Sequence, residues 1–187
     1  GEMEVALRSS RSEDEYRQIL TSCLEEVDRL SALVQDLLFL ARSDSGNVAG
    51  TDTPVDLAIV FAEVSHPLRA LAETASVALT TSSPSPLWVN GNESMLFRVI
   101  FNLGENAIKF TPAGGQVELL LDQQGKEAVL QIKDTGPGIP AEDQPRIFDR
   151  FYRGDLARSR GGTGLGLALV RSIVLLHRGQ ISVESET

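Results

Sequence analysis

Asp134-Thr135-Gly136-Pro137-Gly138-Ile139-Pro140 and Gly161-Gly162-Thr163-Gly164-Leu165-Gly166-Leu167 bracket the stretch around which this sequence is organised. Between them runs Arg146-Ile147-Phe148-Asp149-Arg150-Phe151-Tyr152-Arg153, and upstream lies Asn102-Leu103-Gly104-Glu105-Asn106-Ala107-Ile108-Lys109-Phe110. The first glycine cluster follows Ala128 to Asp134, which reads as a strand. Val117 to Asp122 reads as its partner, joined by the turn chemistry of Gln123-Gln124-Gly125-Lys126. The second cluster opens a helix from about Leu165 to His177. The upstream stretch belongs to a helix capped by Asn92 and running to Lys109, with Leu96, Val99, Ile100, Leu103 and Ala107 turned to a core. Both clusters therefore fall where regular structure meets loop, and where glycine lets a backbone approach a ligand.

Further out, Asp56 is placed to cap a helix with Leu57, Val60, Phe61, Val64, Leu68 and Leu71 on one side, and Pro67 predicts a kink or break near His66. Val77 to Thr81 reads as a strand. Ser82-Ser83-Pro84-Ser85-Pro86 is a loop, and Trp88-Val89 a short strand before the Asn90-Gly91 turn. A helix is expected over Ala141 to Phe148 and a last strand over Gln180 to Glu184. Antiparallel strands mixed with helices favour α+β, with helices on one face of a sheet.

At the other end, Leu20, Cys23, Val27, Leu30, Val34, Leu37 and Ala41 repeat in steps of three and four along a helix from Glu15 to Ala41. Ser12 and Glu15 have capping-box spacing, and Gly46 is the natural stop. The seam is broadened by Ile19, Leu24, Leu33, Leu38 and Leu40, which suits a helix of a four-helix bundle and implies a partner helix or a second copy. The expected layout is residues 1–46 as part of a helical hairpin, 47–55 as a linker and 56–187 as a second domain.

The formal net charge of -9 argues against nucleic-acid binding, which relies on Lys and Arg. Residues 146–160 run against that balance, with five arginines and two aspartates, the composition of a loop that meets phosphates. No apolar run reaches the ~18 residues of a membrane-spanning helix, and the N-terminal residues are polar. One cysteine excludes an internal disulfide, and two histidines with one cysteine make no zinc-type cluster.

Asn102, Asn106 and Lys109 project from adjacent points of one helix. Taken alone they suit a solvated surface, but an amide oxygen can also ligate magnesium and a lysine can offer charge to phosphates. Asp134 at a strand end can accept from an exocyclic amine, with Gly136 and Gly138 admitting close approach; a plain tight turn is the alternative. Gly162, Gly164 and Gly166 precede a helix whose first amides are free for an anion. A dinucleotide-binding turn would need these glycines directly after a strand, and no Gly-Lys-Ser/Thr of a P-loop occurs.

Taken in order, these motifs resemble the catalytic region of bacterial sensor histidine kinases of two-component signalling. Asn102 to Thr111 is similar to that family's N box, Asp134 to Pro140 to its first glycine box, Ile147 to Arg153 to its F box, and Gly162 to Leu167 to its second glycine box. Ser12 to Gly46 resembles the second helix of the dimerisation and phosphoacceptor hairpin. The resemblance implies a two-layer α/β sandwich, a mixed sheet covered on one face by helices, preceded by a long helix of a dimeric four-helix bundle.

It also implies ATP and Mg2+ as cofactors, with Asn106 on the metal, Asn102 and Lys109 facing the phosphates, Asp134 reading the adenine amine and Phe110 bordering base or ribose. Gly136, Gly138, Ile139, Gly162, Thr163, Gly164, Leu165, Gly166 and Leu167 would line or flank the nucleotide. Phe148 and Phe151 would anchor a lid that carries Arg153 to the phosphates. In the wider superfamily, gyrase and the mismatch-repair protein MutL carry a water-activating glutamate four residues before the metal-binding asparagine. That position is Asn102 here, which disfavours hydrolysis and keeps transfer open. The implied activity is transfer of the ATP γ-phosphoryl to a hairpin histidine upstream of Gly1, for relay to a response regulator. The implied setting is the cytoplasmic portion of an inner-membrane homodimer.

A non-transferring ATP-binding scaffold of the same fold is the alternative, and an anti-sigma-type serine kinase is disfavoured by the heptad helix. His66 is not the expected acceptor, since it follows the linker. His177 is expected to cap or pack. The family usually has Gly-Gly where Arg178-Gly179 stands, and it adds one further strand after Glu184.

Overall fold

The computed structural model describes residues 12–45, 53–84, 86–154 and 162–186, which fall into two compact units divided after Ser45. The first is one helix, α1 (Glu13–Asp44). Its start is fixed by the expected capping box: Glu15 N–H donates to Ser12 Oγ at 3.3 Å, and Ser12 N–H donates to Glu15 Oε2 at 2.8 Å. Glu13, Asp14 and Glu15 in the first turn complement the helix dipole. Along the seam, Leu20, Val27, Leu30 and Val34 are each more than half exposed (52–60%) within the single chain. Gly46, the expected stop, lies outside the described residues.

The second unit contains β1 (Thr53–Asp56), α2 (Leu57–Ala75), β2 (Ala78–Ser82), β3 (Trp88–Gly91), α3 (Glu93–Phe110), β4 (Gln116–Gln124), β5 (Glu127–Asp134), a 3-10 turn (Gln144–Arg146) and α4 (Gly166–Leu176). A three-stranded mixed sheet has the order β2-β4-β5, with β2 parallel and β5 antiparallel to β4. The hairpin register pairs Gln124 with Glu127 and Val117 with Asp134, so the first glycine cluster emerges beside the start of β4. β1 and β3 form a separate antiparallel pair. Val117, Leu119 and Leu121 are buried at alternate positions of β4, which defines one covered face. Val60, Phe61, Val64 and Leu68 of α2 and Ile100, Ala107 and Ile108 of α3 share a core with these three. α4 packs beside α3 through a fully apolar side bearing Leu169, Val170 and Ile173.

Asp56 caps α2 as expected and also ties down the loop before β3, accepting from Ala58 N–H at 3.1 Å and Leu87 N–H at 3.0 Å. Asn92 caps α3 by accepting from Met95 N–H at 3.1 Å.

Several expectations are corrected. Thr53–Asp56 pairs with β3, so the C-terminal part of the expected linker belongs to the second unit. Of the kink or break expected near His66, the break does not occur: α2 runs on through Pro67, which is exposed while Val64 and Leu68 on either side of it are buried. Leu71 faces outward and Ala72 takes the buried place. The helix expected over Ala141 to Phe148 is reduced to the 3-10 turn: Pro145 removes a donor within it and disfavours the α conformation at Gln144. Gln180 to Glu184 keeps a strand-like alternation, Ile181 and Val183 being half-buried between exposed neighbours, but forms no ladder among the described residues.

His177 does pack, and its role is specific. Nδ1 donates to Ile173 O at 2.8 Å and Nε2 accepts from Asn92 N–H at 3.0 Å, so the ring binds the end of α4 to the cap of α3. Arg178 then adopts φ 58°, while Arg178 N–H donates to Leu175 O and Gly179 N–H to Val174 O, a Schellman termination with arginine at the left-handed position. Replacing Arg178 by Gly removes a strain of about 1 kcal/mol, partly offset by the freer unfolded glycine. The expected outcome is a melting temperature raised by roughly 1–2 °C. Thermal denaturation reads this directly, and a lowered midpoint would show that the arginine side chain outweighs the backbone.

Candidate functional site

The sheet edge, α3 and the loop after β5 enclose an open cavity of about 1830 Å³. Of the residues singled out from sequence, Asn106, Phe110, Asp134, Gly138, Ile139, Arg153 and Leu167 line it. Asn106 is half-buried on α3, and no hydrogen bond occupies its side-chain amide among the described residues. Asp134, at the end of β5, accepts from Gly136 N–H through Oδ1 at 2.9 Å. A Cβ on Gly136 would lie 2.7 Å from that same oxygen, so a side chain there would displace the carboxylate. The carbonyl of Phe110 backs the same glycine, which seats the first glycine box against the end of α3.

Apart from Leu167, the second glycine box lies along α3 rather than in the cavity wall. Lys109 Nζ is 3.1 Å from where a Cβ on Gly162 would stand, and Asn102 Oδ1 is 2.9 Å from the corresponding point on Gly166. Asn102 also donates from Nδ2 to Arg98 O at 2.8 Å, which orients its oxygen toward the glycine box. The Lys109 ammonium sits 5.7 Å from the Phe110 ring centroid. Thr163 Oγ1 accepts from Leu165 N–H at 3.3 Å, and no side chain caps α4, whose first amides therefore remain available to an anion. Leu165 is fully buried, so its side chain anchors the loop in the core instead of lining the cavity.

The F box is held differently from expectation. Phe148 and Phe151 both line the cavity, but the Phe151 ring is 62% exposed and so is not held by burial. The Phe151 backbone does the holding: its N–H donates to Gly164 O at 2.9 Å, with Phe151 at φ 62°. Contacts among three residues here escaped the sequence reading. Tyr152 Oη donates to Asp143 Oδ1 at 2.6 Å while the Arg146 guanidinium lies 4.5 Å from the tyrosine ring centroid, closing this segment on itself. No periodicity marks such contacts within an irregular loop. Arg158 and Arg160 fall outside the described residues.

Among the described residues, no three His, Cys, Asp or Glu side chains gather to hold a metal. A single amide such as Asn106 fits magnesium that takes its other ligands from phosphates and water, and does not fit an all-protein metal cage.

An α+β layer with glycine boxes packed along an asparagine-bearing helix defines a class of nucleotide-binding domain. Residues 91–187 match the family described as histidine kinase-, DNA gyrase B-, and HSP90-like ATPase. The chain is 38% identical over 187 residues to the sensor protein IrlS of Burkholderia pseudomallei, covering 99% of this chain and 40% of that protein. The mycobacterial sensor histidine kinase MprB superposes with a TM-score of 0.61 at 37% identity, covering 67% of this chain and 82% of that one. Full-length ShkA in complex with AMPPNP gives 0.73 at 28% identity over 90% of this chain and 35% of that one.

The chain belongs to the histidine kinase-, DNA gyrase B- and HSP90-like ATPase family, an ATP-binding family, and its relatives are sensor histidine kinases. It spans about two fifths of the length of the curated relatives it matches. No described helix is long and apolar enough to cross a membrane.

Proposed function

We propose that this chain is the ATP-binding catalytic region, with one dimerisation helix, of a sensor protein-histidine kinase. The observation that carries the reading is the alignment of one face of α3 with the second glycine box, Lys109 at Gly162 and Asn102 at Gly166, beside a cavity bearing Asn106 and Asp134.

In this reading Asp134 accepts from the adenine amine, a preference supported by its place at the cavity wall. Lys109, the α4 amides and Arg153 meet the phosphates, and Asn106 holds Mg2+. The metal supplies charge neutralisation on the phosphate oxygens. A histidine nitrogen on the hairpin helix attacks the γ-phosphorus, the bond to the β–γ bridging oxygen breaks, and ADP leaves. Asn102 cannot accept a proton from water near neutral pH, so water is left unactivated and the histidine competes well. The phosphoryl group then passes to an aspartate of a cognate response regulator. The exposed seam of α1 supports a homodimer, since a row of half-exposed aliphatic residues is stabilised by a second copy.

The protein extended upstream through the first hairpin helix is expected to incorporate acid-labile, base-stable label from γ-labelled ATP. Tight ATP binding with no label on histidine would favour a non-transferring module and sink the kinase reading.

A further inference from the structure

One hydrogen-bonded cluster joins the first glycine box, the 3-10 turn five residues after it and the C-terminal segment. Gln144, the first residue of the 3-10 turn, donates from Nε2 to Ile139 O at 2.9 Å and to Ser185 O at 3.0 Å. Ile139 N–H in turn donates to Ser185 Oγ at 2.8 Å. Both polar backbone groups of Ile139 are thereby fixed by side chains, an arrangement a plain loop lacks. Immediately before it, Gly138 has φ 76° and lies so close to the Glu186 carbonyl that a Cβ would overlap it.

The first glycine box is therefore pinned at both ends. At Gly136 the pin is the Asp134 carboxylate, and at Ile139 it is Gln144 with Ser185. Gln144 also has Asp143 as its neighbour, the residue that accepts from Tyr152 Oη. One side of this root thus grips the base-recognition turn, and the other grips the end of the arginine-bearing segment.

We propose that Gln144 is a positioning residue for base recognition: it sets the far end of the turn whose near end Asp134 holds, and so determines how well an exocyclic amine is read. Resting on the ATP-binding reading, the inference concerns selectivity between bases and not phosphate affinity. Leucine at 144 keeps the volume and loses both donated bonds. Glutamate keeps the shape and sets an acceptor against two carbonyls.

The test measures dissociation constants of magnesium ATP and magnesium inosine triphosphate, which carries an oxygen in place of the amine, for wild type, Gln144→Leu, Gln144→Glu and Ser185→Ala. The wild type is expected to prefer ATP. Both Gln144 variants are expected to weaken ATP roughly tenfold, the scale of losing two ordinary hydrogen bonds, while moving inosine triphosphate less than about threefold. Ser185→Ala, the milder change, is expected to shift the ratio in the same direction. Equal losses for both nucleotides would make Gln144 merely structural, and an unchanged ATP constant in folded variants would remove its role altogether; either overturns the proposal. A wild type that binds neither nucleotide would instead sink the ATP-binding reading itself.

Discussion

Asn106→Ala is expected to weaken magnesium-ATP binding by about 100-fold or more, equivalent to about 2.7 kcal/mol, while shifting the melting temperature little. The asymmetry follows from the site. The Asn106 amide is half-buried at the cavity wall and makes no hydrogen bond among the described residues, so the folded protein loses no internal bond when it is removed. A bound magnesium nucleotide would lose the one side-chain oxygen α3 offers it at that point. Titration calorimetry with and without magnesium measures both parts. An unchanged affinity in magnesium would show that the metal does not depend on this residue.

Gly164→Ala is expected to weaken binding by a different route. Gly164 has φ 71°, and an added Cβ would fall 2.8 Å and 2.9 Å from the C and Cα of Phe151 and 3.0 Å from Tyr152 O. These are backbone atoms, which cannot swing aside as a side-chain tip can. The Phe151 N–H bond to Gly164 O would break, and the segment carrying Arg153 would detach from the second glycine box. Gly125→Ala is the matched control, with φ 64° and nothing within 4 Å of an added Cβ. Both substitutions cost about 1–2 kcal/mol in backbone strain. Only Gly164→Ala should also lower ATP affinity, by at least about tenfold, the scale of breaking one well-placed bond and shifting its neighbours. Equal nucleotide affinity in the two variants would show that the contact between F box and second glycine box is irrelevant to binding.

The fold was most legible where one local signal sufficed. The β4–β5 hairpin follows from alternation and a glycine turn, and the caps Ser12, Asp56 and Asn92 mark three helix starts within a residue or two. The terminal segment shows the limit. Ile181 and Val183 have strand-like alternation, yet a ladder needs a neighbour's backbone groups in register, and side-chain pattern carries no information about those. The helix expected over residues 141–148 is cut short by Pro145.

In the site, residue types were readable and pairings were not. That Lys109 meets Gly162 and Asn102 meets Gly166 depends on how α3 and α4 pack, which no motif encodes. The family resemblance implied Phe151 as a lid anchor; at φ 62° its backbone makes the bond while its ring is 62% exposed. Gln144 offered no signal, since its bonds go to backbone atoms, one in the preceding loop and one 41 residues on.

The single helix that carries Asn102, Asn106 and Lys109 works as a ruler. Along it, Asn102 and Lys109 are separated by roughly 10 Å of rise, a spacing set by backbone hydrogen bonds and insensitive to side-chain repacking elsewhere. Substitutions on the far side of α3 leave that scale unchanged. One residue inserted between Asn102 and Lys109 would turn everything beyond it by about 100°, carrying Lys109 away from Gly162 while every functional side chain was still present. The domain is thus more tolerant of changed letters along this helix than of a changed count.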